Sequence, residues 1–337
     1  MTTERPETPF LDAGVASFLN TQQVDPYNPG ALESAGVDVG VVGFPFDGTC
    51  ISRTGTNMGP RAIRTASAQT RLYHFEYDTD LGEHYTIADC GDVPVVPGNP
   101  AESLDRGADL LGRLLEAGAM PVMLGGDHVT TVSGVRALGA HADDPGLVLV
   151  DTHFDTADEV GGERYNHCCP LARAVDEGGF DPQNVSIIGL SAPTNPRAEL
   201  EVALEQGMNL FSLDEVARRG AATVARDAVE RATDGTDATY FTLDIDVLDA
   251  GAAPGTGVPT NGGLYTRELL QILGVVASEG VDAIDVVETS PDLDPAGVTP
   301  RMAVRAVVDM LAANATGEAH GVGMGTAAAE QCRRSRE

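Results

Sequence analysis

The chain has no lysine and no tryptophan in 337 residues, and only 5% of it is aromatic. Without lysine there is no Schiff-base amine and no lysine-dependent phosphate loop. Cysteine is scarce and odd in number: Cys50, Cys90, Cys168, Cys169 and Cys332 do not make a disulfide framework, so a reducing cytoplasm is the expected compartment. Long apolar runs are missing, and the start, Met1-Thr2-Thr3-Glu4-Arg5-Pro6, is polar. Neither a targeting segment nor a membrane span is therefore expected. Positive charge is the largest deficit, with 21 arginines against 51 acidic residues and a net charge of −30. Such a chain repels nucleic acid and anionic membranes and steers small cations inward. The same acidity reads as adaptation to high salt, with carboxylates holding a hydrated surface.

What is present suffices for a folded domain, since 42% of the residues are hydrophobic and wholesale disorder needs far fewer. Short apolar runs predict strands over 37–46, 121–124, 147–150, 184–189, 209–211, 239–243 and 282–287. Amphipathic stretches predict helices over 60–69, 102–116, 130–138, 170–177, 196–206, 214–233, 266–278 and 300–313. Runs such as Val148-Leu149-Val150 show no polar alternation, as befits strands covered on both faces of a parallel sheet. Strand-then-helix repetition predicts an α/β fold, a three-layer α/β/α sandwich on a mostly parallel sheet of about eight strands. Residues 1–36 read as an irregular N-terminal arm, 37–326 as a single domain and 327–337 as a solvated tail.

Ligands of such sheets bind beyond the carboxyl ends of the strands, and three strand ends here carry related side chains. They are Gly125-Gly126-Asp127-His128, Asp151-Thr152-His153-Phe154-Asp155 and Asp244-Ile245-Asp246. Side chains two apart on an extended chain point the same way, so Asp151, His153 and Asp155 can converge, as can Asp244 and Asp246. Carboxylates gathered so closely repel one another unless cations lie between them. Two divalent ions with neutral imidazoles as further ligands satisfy that demand. An oxygen-rich set with some imidazole suits Mn²⁺, with Ni²⁺, Co²⁺, Fe²⁺ or Zn²⁺ open from ligand type alone.

These three segments, with Pro254-Gly255-Thr256-Gly257-Val258-Pro259 and Gly262-Gly263 behind the last, resemble the signature segments of the ureohydrolases, the arginase and agmatinase family. Gly43-Phe44-Pro45-Phe46-Asp47, Arg53 and Gly59-Pro60-Arg61-Ala62-Ile63-Arg64 are similar to the agmatinase branch, and Asp285-Val286-Val287-Glu288 with Pro291 resembles the family's last active-site strand. Thr152, Val129, Thr242 and Ala250 depart from the commoner family residues without removing a ligand. The resemblance implies the arginase-like fold and two Mn²⁺ per subunit. One ion would be held by His128, Asp151, Asp155 and Asp244, the other by Asp151, His153, Asp244 and Asp246. It implies that Glu288 grips the guanidinium of a small cationic substrate, a bidentate charge-assisted fit. It also implies that His167, on the loop after the metal strand, moves a proton. Asp155 and Asp246 count with His167 and Glu288 as catalytic residues, and a trimer or hexamer is the expected assembly.

The expected reaction is hydrolysis of a guanidino group to urea and an amine, with the metal pair making a shared water reactive. The loop 159–166 lacks the Ser-Gly-Asn pattern of arginine-specific relatives, which favours agmatine, giving putrescine. The acids Asp158, Glu159 and Glu163 agree with a cationic substrate, whereas Arg164 would suit a guanidino acid such as guanidinobutyrate. Guanidine and formimidoylglutamate are further candidates. From another class come a single-zinc amide deacetylase and a metal-binding homologue without turnover. Attack by a thiolate of Cys168 or Cys169 is a weaker rival, and packing of both thiols beneath the loop is the simpler expectation. Gly321-Val322-Gly323-Met324-Gly325 and Gly189-Leu190-Ser191-Ala192-Pro193 lack the context of a phosphate loop and a nucleophile elbow. His74, His84, His141 and His320 read as surface or packing residues.

Overall fold

The computed structural model describes residues 15–191 and 193–319; the tail over 327–337, the glycine-rich stretch from Gly321, His320 and Cys332 lie outside them. Nine strands form one sheet, in the order Gln22–Gln23, Ile87–Asp92, Val39–Gly43, Met120–Leu124, Ala283–Val287, Ala238–Asp244, Pro145–Val150, Val185–Leu190 and Asn209–Ser212. Every pairing in it is parallel.

Alternation along each strand divides the apolar side chains between two cores. Val41, Val122, Val148, Leu243 and Val286 face one core, closed by Ala221–Ala232, Thr266–Ser278 and Val298–Thr316. Val42, Met123, Leu149, Tyr240 and Ala283 face the other, closed by Pro100–Glu116, Thr131–Gly139 and Pro170–Asp176. Both faces are dry, which explains why the strands carry apolar runs instead of an alternating pattern. The three-layer expectation therefore holds, and among the described residues no helix is long and apolar enough to cross a membrane.

Differences from the sequence reading have local causes. The strand Ile87–Asp92, Ile-Ala-Asp-Cys-Gly-Asp, was not expected because its two aspartates break the apolar run. Asp89 is nonetheless 2% exposed, because Arg64 meets it through Nε at 2.7 Å and Nη2 at 3.0 Å. The helix expected over 214–233 is two helices, Leu213–Arg219 and Ala221–Ala232, divided at Gly220, whose φ of 85° no helix continues through. The described part of the N-terminal arm is not irregular. Gln22–Gln23 pairs with the strand Ile87–Asp92 as a ninth, edge strand, and Phe18 and Leu19 are buried.

Asp89 fastens that arm, since its Oδ2 also accepts the Phe18 N–H at 2.8 Å. Asp89→Ala takes the bidentate partner from a buried guanidinium, which keeps Asp92 and the Gly91 carbonyl, and is expected to cost about 3 kcal/mol. Urea denaturation in high salt measures it, and a loss within the range of an exposed ion pair, ~1 kcal/mol or less, would show that the arm docks by other means.

Candidate active site

Four neighbouring strands in the middle of the sheet deliver the site at their carboxyl ends. Met120–Leu124 leads to His128, Ala283–Val287 to Glu288, Ala238–Asp244 to Asp244 and Asp246, and Pro145–Val150 to Asp151, His153 and Asp155. The convergence is achieved by turns, not by the extended pleat. Asp151 Oδ1 accepts the His153 N–H at 2.7 Å, and Asp244 Oδ1 accepts the Asp246 N–H at 2.8 Å. In each pair the first carboxylate thus folds the chain that presents the second ligand. Asp155 turns back through a left-handed backbone (φ 51°), and Glu288 does the same (φ 62°). Side-chain-bearing residues adopt that region at a cost, and functional sites are where such strain collects.

The His128 Nδ1 lies 2.8 Å from Asp155 Oδ2 and 3.3 Å from both Asp151 Oδ2 and Asp244 Oδ2. The His153 Nδ1 lies 3.4 Å from Asp151 Oδ1 and 3.3 Å from Asp246 Oδ2. Two overlapping donor groups result, His128 with Asp151 and Asp155, and Asp151 with His153 and Asp246. Each is compact enough for one cation, and Asp151 belongs to both.

Crowded as they are, His128 Nδ1, Asp151 Oδ2 and Asp246 Oδ1 form no aligned hydrogen bond among the described residues. Buried polar atoms left unpaired are rare and costly. The carboxylates are frustrated as well. Burial and the charge of Asp151 raise Asp155, burial and the charges of Asp246 and Asp151 raise Asp244 well above the usual range, and burial pushes Asp246 up to about 7 against the pull of His153. Despite its burial, Asp151 alone of the four is held below the usual range, by His128 and His153. Three carboxylates that resist charge around one that keeps it, with polar atoms lacking aligned bonds, fit a pair of divalent cations.

Residues that sequence reasoning passed over support the cage from outside. Thr242 Oγ1 lies 3.2 Å from His128 Nε2 and 3.4 Å from Thr131 Oγ1. Asp285 Oδ2 accepts from Thr131 Oγ1 at 2.8 Å and from Tyr240 Oη at 2.7 Å. This chain holds the outer nitrogen of His128, leaving Nδ1 to face the cage. Thr242 stood out in the sequence only as a departure from the commoner family residue, and the structure shows that it reaches His128. Gly126 is required here because a Cβ would come within 1.8 Å of the Phe46 carbonyl, which accepts the Asp127 N–H at 2.8 Å.

Glu288, 5% exposed, joins the cage to the loop carrying His167. Its Oε1 accepts the His128 N–H at 2.9 Å and lies 3.1 Å from His167 Nδ1. The Ile51 N–H points at His167 Nε2 at 3.3 Å, so Nε2 is the acceptor and Nδ1 carries the proton toward Glu288. Asn166 ties the two loops, donating to Thr49 O at 3.2 Å. Asp127, fully buried, accepts the Thr49 N–H at 2.9 Å and hydroxyl at 2.8 Å, and burial with the Glu288 charge pushes it up to about 7.

A cavity of about 530 Å³ opens over these groups, lined by His153, Asp155, His167, Asp244, Asp246 and Glu288, and further out by Ile51, Cys168, Asn195, Glu199 and Val258. Glu199 was not anticipated; burial and the charge of Asp155 push it up to about 7. Of the acids expected near the site, Asp158, Glu159 and Glu163 do not line the cavity, and Asp158 instead meets Arg173 at 2.5 Å. Arg164 pairs with Asp176 at 2.6 Å and does not line the cavity either. Cys169 packs beneath the loop as expected, while Cys168 reaches the cavity wall. Burial raises both thiols, Cys169 to about 12, which disfavours a nucleophilic thiolate.

A parallel α/β sheet with a histidine–aspartate cage at its carboxyl edge fits a metal-dependent hydrolase, and the comparisons give the class as hydrolases of linear amidines. Residues 37–313 match the model of the arginase family, to which the chain belongs. It is 31% identical to a guanidinopropionase of Pseudomonas aeruginosa, over 89% of this chain and 91% of that protein. It is 33% identical to an agmatinase of Bacillus anthracis, over 81% and 91%. The structure of proclavaminate amidinohydrolase from Streptomyces clavuligerus superposes with a TM-score of 0.81 at 30% identity, over 91% of this chain and 99% of that one. The chain is thus a ureohydrolase that cleaves a guanidino group.

Thr242→Val frees the outer nitrogen of His128 and is expected to weaken metal affinity about 10–100-fold. Titration against a chelator measures it; activity restored by excess manganese, and full affinity in Thr242→Ser, distinguish this positioning role from a general loss of structure.

Proposed function

We propose that residues 37–326 act as one catalytic domain that hydrolyses agmatine to putrescine and urea. The observation that carries the choice of substrate is the charge of the cavity wall. Carboxylates line it and, among the described residues, no arginine does, Arg164 being engaged with Asp176. A guanidino acid would bring a carboxylate into a wall where, among the described residues, no arginine waits to meet it. Agmatine carries a cation at each end, and Glu199 offers its tail a carboxylate.

His128, Asp151, Asp155 and Asp244 would hold one Mn²⁺, and Asp151, His153, Asp244 and Asp246 the other; the oxygen-rich set with two imidazoles supports manganese. When bound, the pair supplies Lewis acidity and makes water reactive near neutral pH. Glu288 accepts N–H donors of the guanidinium through Oε2, to which no donor among the described residues is bonded, while Oε1 keeps its contacts to His128 and His167. That grip orients the guanidinium carbon toward the cage. His167 holds a proton at Nδ1, shared with Glu288 Oε1, for the departing amine. Asp155 and Asp246, which line the cavity as well as the cage, fix the attacking side. Ile51, Val258 and Pro196 enclose the aliphatic stem and limit bulk water. A trimer or hexamer belongs to the same reading, supported by Phe75 and Tyr265 standing exposed at 74% and 72%.

Urea release from the manganese-loaded protein in high salt, across agmatine, guanidinobutyrate, guanidinopropionate, arginine and guanidine, tests the assignment. Agmatine is expected to exceed the others by about tenfold or more in kcat/KM, the effect of one charge-assisted contact; a guanidino acid in first place would overturn it. Glu288→Gln is expected to raise KM with both ions retained, whereas Asp244→Ala loses metal and turnover together. His167→Ala is expected to lower kcat about 10²-fold or more at unchanged metal content, and unaltered kcat would remove His167 from the proton path.

A further inference from the structure

The loop that caps the cage brings a thiol up to the two residues that the substrate reading uses for grip and proton. We propose that Cys50, His167 and Glu288 form a separate third site for a thiophilic divalent cation, Zn²⁺ or Cd²⁺. The Cys50 Sγ, a ring nitrogen of His167 and a carboxylate oxygen of Glu288 all lie within 4.8 Å of one another. That span closes around a tetrahedral ion with bonds of about 2.0–2.3 Å after small side-chain adjustments, leaving one position toward the cavity that His167 and Glu288 line.

The donor set differs in kind from the cage. The cage offers oxygen and imidazole only, whereas this trio adds sulfur, which selects Zn²⁺ or Cd²⁺ over Mn²⁺. Burial and the charges of Glu288 and Asp127 hold the Cys50 thiol protonated in the absence of an ion. A coordinating divalent cation nonetheless deprotonates a thiol outright, and among the described residues only weak contacts compete for it. Its neighbours are Thr56 Oγ1 at 3.8 Å and Asp127 Oδ2 at 3.9 Å, weak contacts for sulfur. The loop itself is held in place by Asp127, which anchors Thr49 through backbone and hydroxyl. Coordination through His167 Nε2 replaces the long Ile51 N–H contact of 3.3 Å, while Nδ1 keeps its proton toward Glu288. On binding, the thiol proton passes to solvent, and thiolate plus carboxylate then balance the two positive charges of the ion. That balance favours occupancy at a buried position where a lone ion would be expensive.

Given the reading that Glu288 grips the guanidinium and His167 holds the proton, an ion here occupies both groups. Inhibition competitive with agmatine follows, without disturbance of the manganese pair.

The test adds Cd²⁺ to the manganese-loaded protein and follows the ultraviolet cadmium–thiolate charge-transfer band. The cage contains no sulfur, so the band reports cysteine alone. One band-forming ion per chain, with manganese retained in metal analysis, is expected. The band is expected to vanish in both Cys50→Ser and Cys50→Ala and to persist in Cys168→Ser. A band that survives both Cys50 variants, or that is lost with Cys168, overturns the site. Zn²⁺ inhibition of urea release, each protein taken against its own uninhibited rate, is expected to need at least tenfold more zinc in Cys50→Ser. A Cys50-dependent band without inhibition upholds the site and counts against the role given to Glu288 and His167.

Discussion

Mutual repulsion among buried carboxylates is the constraint on which the rest of this structure depends. Asp151, Asp155, Asp244 and Asp246 are at most 6% exposed, and only His128 and His153 stand among them. Taking so many like charges out of water costs several kcal/mol per ion unless they are paired. A flexible loop cluster would relax by letting them drift apart. The neighbouring parallel strands prevent that, because each carboxylate is fixed within a residue or a turn of a strand packed between two dry cores. The rigidity of the sheet is therefore the means by which an unfavourable charge arrangement persists until cations relieve it.

Glu288 passes that constraint outward. One oxygen receives the backbone of a cage residue, the His128 N–H, and the ring of His167. Its own N–H is bonded to Gly126 O at 2.8 Å, so backbone and side chain both lean on the His128 segment. A left-handed residue at the end of a strand would ordinarily be a glycine. Keeping a glutamate there places a carboxylate where no regular strand continuation would. The strain at Glu288 and Asp155 is thus the local cost of closing the site from two directions.

The sequence made the central part legible because its chemistry is local. Asp-Thr-His-Phe-Asp and Asp-Ile-Asp each follow an apolar strand directly, and their charge pattern has few other uses. The route by which they converge was not legible. Side-chain alternation suggested a continued pleat, whereas Asp151 and Asp244 fold the next residues through bonds to the amides two positions on. Contacts distant in sequence were beyond reach for a similar reason. Thr242 beneath His128, Cys50 beside His167 and Glu199 on the cavity wall carry no motif of their own, and each gains its place only from the packing of separate elements. The strand over Ile87–Asp92 was hidden because Asp89 looks like a loop residue until Arg64 is brought to it.

Overall acidity and local specificity act at different ranges. The net charge of −30 favours any approaching cation, but such a field is screened within about 8–10 Å in ordinary salt and within a shorter distance in brine. It cannot choose among guanidino compounds. The acids that composition placed near the site, Asp158, Glu159 and Glu163, lie off the cavity wall, and Asp158 is already neutralised by Arg173. What remains inside is a short set of carboxylates shielded from salt by burial. On the proposed agmatine reading, discrimination between an amine tail and a carboxylate tail rests on which charged side chains are kept off the wall as much as on which are present. By the same reading Arg164, held outside by Asp176, is the residue whose position off the wall favours an amine tail.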